Sequence, residues 1–377
     1  MKILFDENMP FAREFFESIG GNKNTLEAFN GRKLTAEQLV DADVLLVRSI
    51  TKVNEVLLEK AKQLKFVGTA TIGVDHIDQA LLKARSIAFY SAPGCNAVSV
   101  AEYVISALVV LAERYLLTLK DKTVGIVGAG NTGSRLSEKL TALGITHKLC
   151  DPILAQSGDT RNFVSLDEAL ACDIISLHVP LTREGEHPTY HLLDETRLAV
   201  LSGEQILINA CRGEVIDNHA LLKLKQSGIQ TKLVLDVWEN EPNVLEPLVP
   251  FADIASAHIA GYSLEGKARG SEMLYRALCK TLAIEPELSL KQFLPTPAFD
   301  SVKINQDFDE ILLKHVVKMV YDVRRDDAIF RQQLPRYGFD HIRKTYPARR
   351  EFSSLACSSE NTELDALFQL GFERLCN

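Results

Sequence analysis

Apolar residues fall along this chain in short runs, separated by stretches where they recur every three or four positions. Lys2–Phe5, Val44–Val47, Phe66–Val67 and Ile87–Tyr90 have the length and flanking turns of buried strands. Between them Ala36–Val40 and Asn54–Gln63 carry helical spacing. Such alternation predicts βαβ units on a parallel sheet. The pattern breaks at Ala92-Pro93-Gly94, and a helix is expected from about Asn96 to Leu117. Ser99 and Glu102 stand at capping-box spacing, with Asn96 as a rival cap. Apolar positions nearly encircle this helix, which predicts a buried connector between two modules. A second series follows, with strands at Thr123–Val127, Lys148–Cys150, Asp173–Leu177, Gln205–Asn209, Leu233–Val237 and Ile254–Ala257. Six parallel strands with helices between them describe one doubly wound domain. A helix over Leu264–Ala283 and a proline-marked linker at Leu294-Pro295-Thr296-Pro297 come next. The remaining residues mix a helix, Asp309–Tyr321, with charged clusters, and the chain shows no internal repeat.

Composition narrows the class without changing this picture. With 46% hydrophobic and 24% charged residues in 377, the chain is an ordinary globular protein of two or three domains. A net charge of −8 gives no general attraction to nucleic acid or acidic membranes, so an anionic ligand needs a local cationic pocket. The longest apolar run, Val104–Leu111, is too short to span a bilayer, and MKILFDENMP reads as a first strand rather than a signal peptide. The seven cysteines include no CxxC, which points to reduced, buried thiols and a cytoplasmic setting.

The first chemical signal is Gly128-Ala129-Gly130-Asn131-Thr132-Gly133, a GxGxxG between the strand Thr123–Val127 and a helical repeat of leucines. Gly128 permits the tight turn, Gly130 lets backbone approach a pyrophosphate, and Gly133 lets the helix sit against the strand. Phosphates then meet free N–H donors at the helix N-terminus. The next strand ends in Asp151, whose carboxylate suits ribose hydroxyls and repels a 2′-phosphate, favouring NAD over NADP.

Three further residues stand at strand ends of the same domain: Arg212, Glu241 and His258. Ligands of open α/β sheets bind at the carboxyl ends of strands, so the three are expected to converge. His258 suits proton abstraction from an alcohol, because imidazole titrates near neutrality. Glu241 would fix its tautomer, and Arg212 would grip a carboxylate with two parallel hydrogen bonds. Gly213 is expected to leave room beside Arg212 for nicotinamide or substrate. Together these describe oxidation of a 2-hydroxy acid.

The stretches GIVGAGNTG, NACRGEVID, DVWENEP and HIAG resemble the D-isomer-specific 2-hydroxyacid dehydrogenases, and VRSITKV and GTATIGVDHID resemble that family's substrate-domain motifs. The resemblance implies Arg212, Glu241 and His258 as the catalytic trio. It implies cofactor contacts at Asn131, Thr132, Asp151, Val179, Ala210, Cys211, Asp236 and Gly261, with Val179 lacking the hydroxyl that relatives often carry there. It implies substrate contacts at Ser49, Thr71 and Tyr262. KILFDENMP, APGCNAVSVAEYV, HIAGYSLEGKARG and YDVRRDD narrow it to a branch acting on a phosphorylated hydroxy acid, with Lys267 and Arg269 as candidate phosphate ligands. The implied fold is α/β: a flavodoxin-like substrate domain (1–96 and 260–290), an inserted Rossmann NAD-binding domain (97–259), and a C-terminal α+β domain (291–377) that makes a homodimer. Catalysis is expected in the cleft between the first two.

Other readings stay open at this point: another D-2-hydroxyacid dehydrogenase, such as one for phosphoglycerate, or an NAD-sensing regulator on the same fold. His187 and His191 stand four apart, but Pro188 between them argues against a helical metal site, and no metal is expected. No G-x-S-x-G supports a hydrolase. Arg324-Arg325 and Arg349-Arg350 are read as surface or dimer-interface residues, and His76, His147, His219, His315 and His341 have no legible partner.

Overall fold

The computed structural model describes residues 1–17, 19–21, 24–360 and 363–375. Two compact units emerge, one of Met1–Asn96 with Tyr262–Thr296, the other of Ala97–Gly261 with Pro297–Asn377.

The first unit is built on five parallel strands: β1 (Lys2–Asp6), β2 (Thr25–Phe29), β3 (Val44–Val47), β4 (Phe66–Thr69) and β5 (Ala88–Ser91). Their order, β2-β1-β3-β4-β5, is the flavodoxin-like arrangement. β3 and β4 are buried throughout, so their side chains on both faces are apolar and the runs stand out in sequence. β2 escaped the pattern because it is an edge strand in which only Phe29 is buried. Helix Leu264–Thr281 covers one face, with Leu274, Tyr275 and Leu278 packed beside Ile3, Phe15 and Phe66. Ser263 caps it by accepting from the Gly266 N–H.

The second unit holds six parallel strands: β6 (Thr123–Val127), β7 (Thr146–Cys150), β8 (Ile174–Leu177), β9 (Ile206–Asn209), β10 (Lys232–Leu235) and β11 (Ile254–Ala255). Their order, β11-β10-β9-β8-β6-β7, reverses between β6 and β8, the topological switch where such sheets open a ligand crevice. Helix Ala97–Tyr115 is buried on nearly every side from Ala97 to Ala112. The capping-box expectation there is corrected: the helix already includes Ser99, whose hydroxyl donates to Glu351, and buried Glu102 pairs with Lys139.

Residues of the C-terminal segment share the core of this unit. Phe330 stacks on Trp238 with ring centroids 5.3 Å apart, and Leu334, Phe339 and Ile342 pack with Leu248 and Ala255. Asp327 accepts from the Ala255 N–H at 2.8 Å, covering the edge of β11. The segment also carries a small parallel sheet of β12 (Ser301–Lys303), β13 (Ala356–Ser358) and β14 (Glu373–Arg374), and helices at Glu310–Val320, Arg324–Tyr337, Phe339–Lys344 and Asp365–Leu370. Arg349 is 2% exposed within its own chain, which corrects its reading as a surface or interface residue.

Candidate active site

The glycine loop follows β6 and runs into helix Asn131–Ala142. Gly128 has φ +91°, and a Cβ there would lie 2.6 Å from the His178 carbonyl, so the turn after β6 is pressed against the end of β8. A Cβ on Gly133 would stand 2.0 Å from the Gly128 oxygen, which is the close helix–strand contact that glycine permits. A Cβ on Gly130 would meet nothing within 4 Å, so backbone there faces open space at the helix N-terminus. The residues present therefore fit a dinucleotide: the loop is tight where it must pack and open where a pyrophosphate would approach.

Asp151 follows β7 and joins it to this loop. Its Oδ2 accepts from the Ala129 N–H at 2.9 Å and its Oδ1 from the Leu154 N–H at 3.1 Å. Each oxygen keeps a lone pair for a ribose hydroxyl. Arg161, which nothing in the sequence singles out, braces the same loop. It donates to the Ala129 carbonyl at 3.1 Å and to Ser134 Oγ at 2.9 Å, while Asp159 holds it from behind at 2.7 Å.

Arg212, Glu241 and His258 follow β9, β10 and β11, three neighbouring parallel strands, and so lie along one sheet edge. His258 Nδ1 stands 2.8 Å from Glu241 Oε2. Since a carboxylate only accepts, Nδ1 carries the proton and Nε2 keeps its lone pair. Glu241 Oε1 accepts from the Trp238 N–H at 2.9 Å. Burial works to raise the Glu241 carboxyl, but the neighbouring imidazole and these two hydrogen bonds outweigh it and hold the group below its ordinary value. His258 has φ +56°, a left-handed backbone that is strained for a residue with a Cβ.

Asp236 fixes that backbone. It is 1% exposed, and its Oδ1 accepts from Ile259 N and Ser256 Oγ, its Oδ2 from Ala260 N, all within 2.9 Å. The carboxylate expected at the cofactor is thus turned onto the loop that carries His258. Arg212 is half-buried, and its Nη1 reaches the Cys211 carbonyl at 2.7 Å. Among the described residues no carboxylate pairs with it. The expectation for Gly213 is corrected: a Cβ there would lie 2.0 Å from the Trp238 carbonyl carbon and oxygen, so the space is filled by the backbone leading to Glu241.

Burial pushes the Cys211 thiol up to about 11, and Val179 lies beside Gly128 at the switch point. Ala210 and Gly261 are half-buried at the ends of the β9 and β11 connections. Six cysteines are buried and in no disulfide, while Cys376 lies outside the described residues.

In the other unit, Ser49 and Thr71 follow the neighbouring strands β3 and β4. Thr71 Oγ1 donates to the Gly73 carbonyl at 2.9 Å and meets Thr69 Oγ1 at 2.7 Å; Thr69 in turn faces His76, a partner the sequence did not disclose. Arg48 and Lys267 both stand against the Tyr262 ring, 5.9 and 5.6 Å from its centroid. Arg269 instead reaches the Cys95 carbonyl. Lys267 thus shares the Tyr262 ring with Arg48.

His191 does not pair with His187. It sits between Glu239 and Asp217, with Nε2 2.8 Å from the first and Nδ1 3.8 Å from the second. One ligand atom from each of these three residues lies within 4.8 Å of the others.

The family model of the D-isomer specific 2-hydroxyacid dehydrogenase NAD binding domain matches residues 107–260, and a model of a domain of unknown function matches 293–371. The chain is 61% identical to erythronate-4-phosphate dehydrogenase of Colwellia psychrerythraea, covering 99% of this chain and 100% of that one. It is 52% identical to the enzyme of the same name from Shewanella amazonensis, over the whole of both chains. Among solved structures, NAD-bound 3-phosphoglycerate dehydrogenase of Entamoeba histolytica is similar at a TM-score of 0.63 and 25% identity, covering 78% of this chain and 99% of that one. D-lactate dehydrogenase of Aquifex aeolicus, complexed with NAD and lactic acid, is similar at 0.59 and 27%, covering 74% and 95%.

Proposed function

Because the chain belongs to the erythronate-4-phosphate dehydrogenases, within the D-isomer-specific 2-hydroxyacid dehydrogenases, we propose that it oxidises 4-phospho-D-erythronate to 3-hydroxy-2-oxo-4-phosphooxybutanoate, a step of pyridoxine 5′-phosphate (vitamin B6) biosynthesis. The single observation that carries the chemistry is the His258–Glu241 pair at 2.8 Å, on the sheet edge that also bears the glycine loop. NAD, when bound, supplies the acceptor for the C2 hydride.

The chain's own residues do the rest. The 128–133 loop and the N-terminus of helix Asn131–Ala142 would hold the pyrophosphate, and Asp151 the adenosine ribose. Arg212 grips the substrate carboxylate and orients the C2 hydroxyl, which is why its charge needs no acidic partner within the protein. His258 Nε2 takes the hydroxyl proton as the C2–H bond breaks. Glu241 stabilises the imidazolium that results and keeps Nδ1 protonated throughout. Ser49, Thr71 and Tyr262 contact the substrate, and the Arg48–Lys267 pair beside Tyr262 suits the phosphate. Asp236 sets the His258 loop, and Val179, Ala210, Cys211 and Gly261 line the cofactor side.

The chain forms a homodimer through its C-terminal segment. Supporting this, Ile311 and Met319 are large apolar side chains left exposed on helix Glu310–Val320, with exposed His315 between them. No helix among the described residues is long and apolar enough to cross a membrane, and the six buried cysteines, in no disulfide, suit a reducing cytoplasm.

The test is NAD reduction with 4-phospho-D-erythronate beside 3-phosphoglycerate and D-lactate. One arm includes a 2-oxo acid as hydride acceptor, so that slow loss of NADH is not read as inactivity. A strong preference for phosphoerythronate is expected. Preference for phosphoglycerate would overturn the substrate, and no turnover with any acid would overturn the dehydrogenase. The regulator reading has less support, because a sensor needs no base held against a carboxylate.

A further inference from the structure

The loop carrying His258 is held from two sides. On one side lies Asp236, whose main-chain oxygen accepts from His258 N at 2.6 Å and whose carboxylate takes the next two amides. On the other lies Arg349, from the C-terminal segment. Its Nη2 donates to the Ala260 carbonyl at 2.8 Å and to the Ser99 carbonyl at 2.7 Å. Both the N–H and the C=O of Ala260 are thereby fixed, two residues after the proposed base.

Arg349 is itself locked. Its guanidinium lies 4.0 Å from the centroid of the Tyr321 ring. Asp326 Oδ2 accepts from the Tyr321 hydroxyl at 2.7 Å and from the Tyr346 hydroxyl at 2.8 Å, so the aromatic floor beneath the guanidinium is tied down too. Glu351 accepts from the Ser99 hydroxyl at 2.9 Å, anchoring the same helix start that Arg349 touches. Both carbonyls are reached by one nitrogen, Nη2, while the guanidinium carbon sits over the Tyr321 ring. An ordinary buried arginine would serve stability alone. This one ends on the backbone of a loop whose histidine holds a left-handed φ of +56°, and such strain persists only where the surroundings over-determine it.

We propose that Arg349 is a positioning residue for His258, so that the C-terminal segment, whose family model carries no function, completes the active site of its own chain. The inference rests on the dehydrogenase reading for its kinetic consequence, though not for its structural one. Without the Ala260 anchor, the imidazole drifts relative to Glu241 and the substrate hydroxyl. Misplacement by about an ångström costs up to ~10²-fold in rate.

The experiment compares wild type with Arg349→Met, Arg349→Lys and Arg331→Gln. Arg331 is a control: it also anchors the C-terminal segment, but to the Val249 and Ala252 carbonyls, before β11, and makes no hydrogen bond to residues 258–261. Arg349→Met is expected to lower kcat by about 10- to 100-fold while the Kd for NADH stays within about twofold. Hydrogen–deuterium exchange should rise at amides 258–261 and stay unchanged at 206–217. Arg349→Lys should recover part of both effects, and it carries the test if the methionine variant does not fold. Arg331→Gln should lower Tm with kcat retained. The proposal is overturned if Arg349→Met keeps kcat, if exchange rises across the whole sheet, or if Arg331→Gln at equal loss of Tm loses as much activity. Wild type inactive on phosphoerythronate would sink the dehydrogenase reading, and the exchange arm would still decide this one.

Discussion

Replacing Glu241 separates two things that its carboxylate does for His258: stabilising the imidazolium and choosing the tautomer. The two oxygens are already assigned, Oε2 to His258 Nδ1 at 2.8 Å and Oε1 to the Trp238 N–H at 2.9 Å. In Glu241→Ala the imidazolium loses a charged hydrogen-bond partner, worth about 1.5–3 kcal/mol. A Coulomb estimate brackets this, since unit charges at such a distance attract by roughly 1.5 kcal/mol in water and about 6 at an effective dielectric of 20. The His258 and Glu241 side chains are 33% and 20% exposed, so the value belongs between those limits. At about 1.4 kcal/mol per decade, kcat/KM should fall by about 10- to 150-fold. Glu241→Gln should be worse. Its amide oxygen keeps the Trp238 N–H, which turns the NH₂ toward His258 and forces Nδ1 to accept. The proton then sits on Nε2, and the base is blocked. A carboxylate-to-amide change in a Ser-His-Asp triad costs about 10⁴ for the same reason. The assay is initial-rate NADH formation, with NADH binding measured alongside to show that the cofactor side is intact. The tautomer argument fails if the glutamine variant is as active as the alanine variant or more so. Glu241 leaves the mechanism altogether if both stay near the wild-type rate.

Four further outcomes follow from the same geometry. His258→Asn should lower kcat/KM by about 10²–10⁴, the usual share of a general base, and a near-normal rate would remove His258 from the reaction. Gly213→Ala puts a Cβ 2.0 Å from the Trp238 carbonyl, so it should cost about 1–3 kcal/mol of stability and also lower kcat by moving the loop to Glu241; an unchanged Tm would refute it. Burial holds the Cys211 thiol up to about 11, so alkylation followed by mass spectrometry should leave it unmodified at neutral pH in the folded protein and modify it after unfolding. Burial also pushes Glu102 up to about 8, with Lys139 opposing and Glu351 adding to it. A carboxyl whose folded value lies above its unfolded one stabilises below the ordinary carboxylate range, and that stability is lost as pH rises through about 8. Tm should therefore fall across that window, and Glu102→Gln should flatten the curve; equal slopes would refute the assignment.

The parts of this protein that were legible in its sequence are those whose partners lie close by in the chain or share a sheet edge. The glycine loop is local: Gly133 answers to Gly128 within the turn and Gly128 to the adjoining strand end, while Gly130 faces open space. Arg212, Glu241 and His258 could be grouped because parallel strands put every carboxyl end on one side, so strand-end residues need no long-range contact to be placed together. Gly213 shows where this stops. Its position was noticed, but its reason is the backbone of Trp238, which belongs to the next strand's loop and which no local pattern reports.

The same limit explains a motif that misled. Ser99 and Glu102 have the spacing of a cap, and a cap is a bargain between residues three apart. Here both are taken up from far along the chain. Ser99 donates to Glu351, 252 residues on, and Glu102 accepts from the Phe352 N–H, 250 residues on. The helix start that looked self-sufficient is thus built against the C-terminal segment, and Arg349 joins it to the Ala260 carbonyl in the same place. A buried polar side chain must find its partner somewhere. When the sequence offers a near one and burial comes from a distant segment, the distant one wins, because only there is the group removed from water and the hydrogen bond worth most. That is why the segment least readable in the sequence meets the His258 loop two residues from its left-handed position.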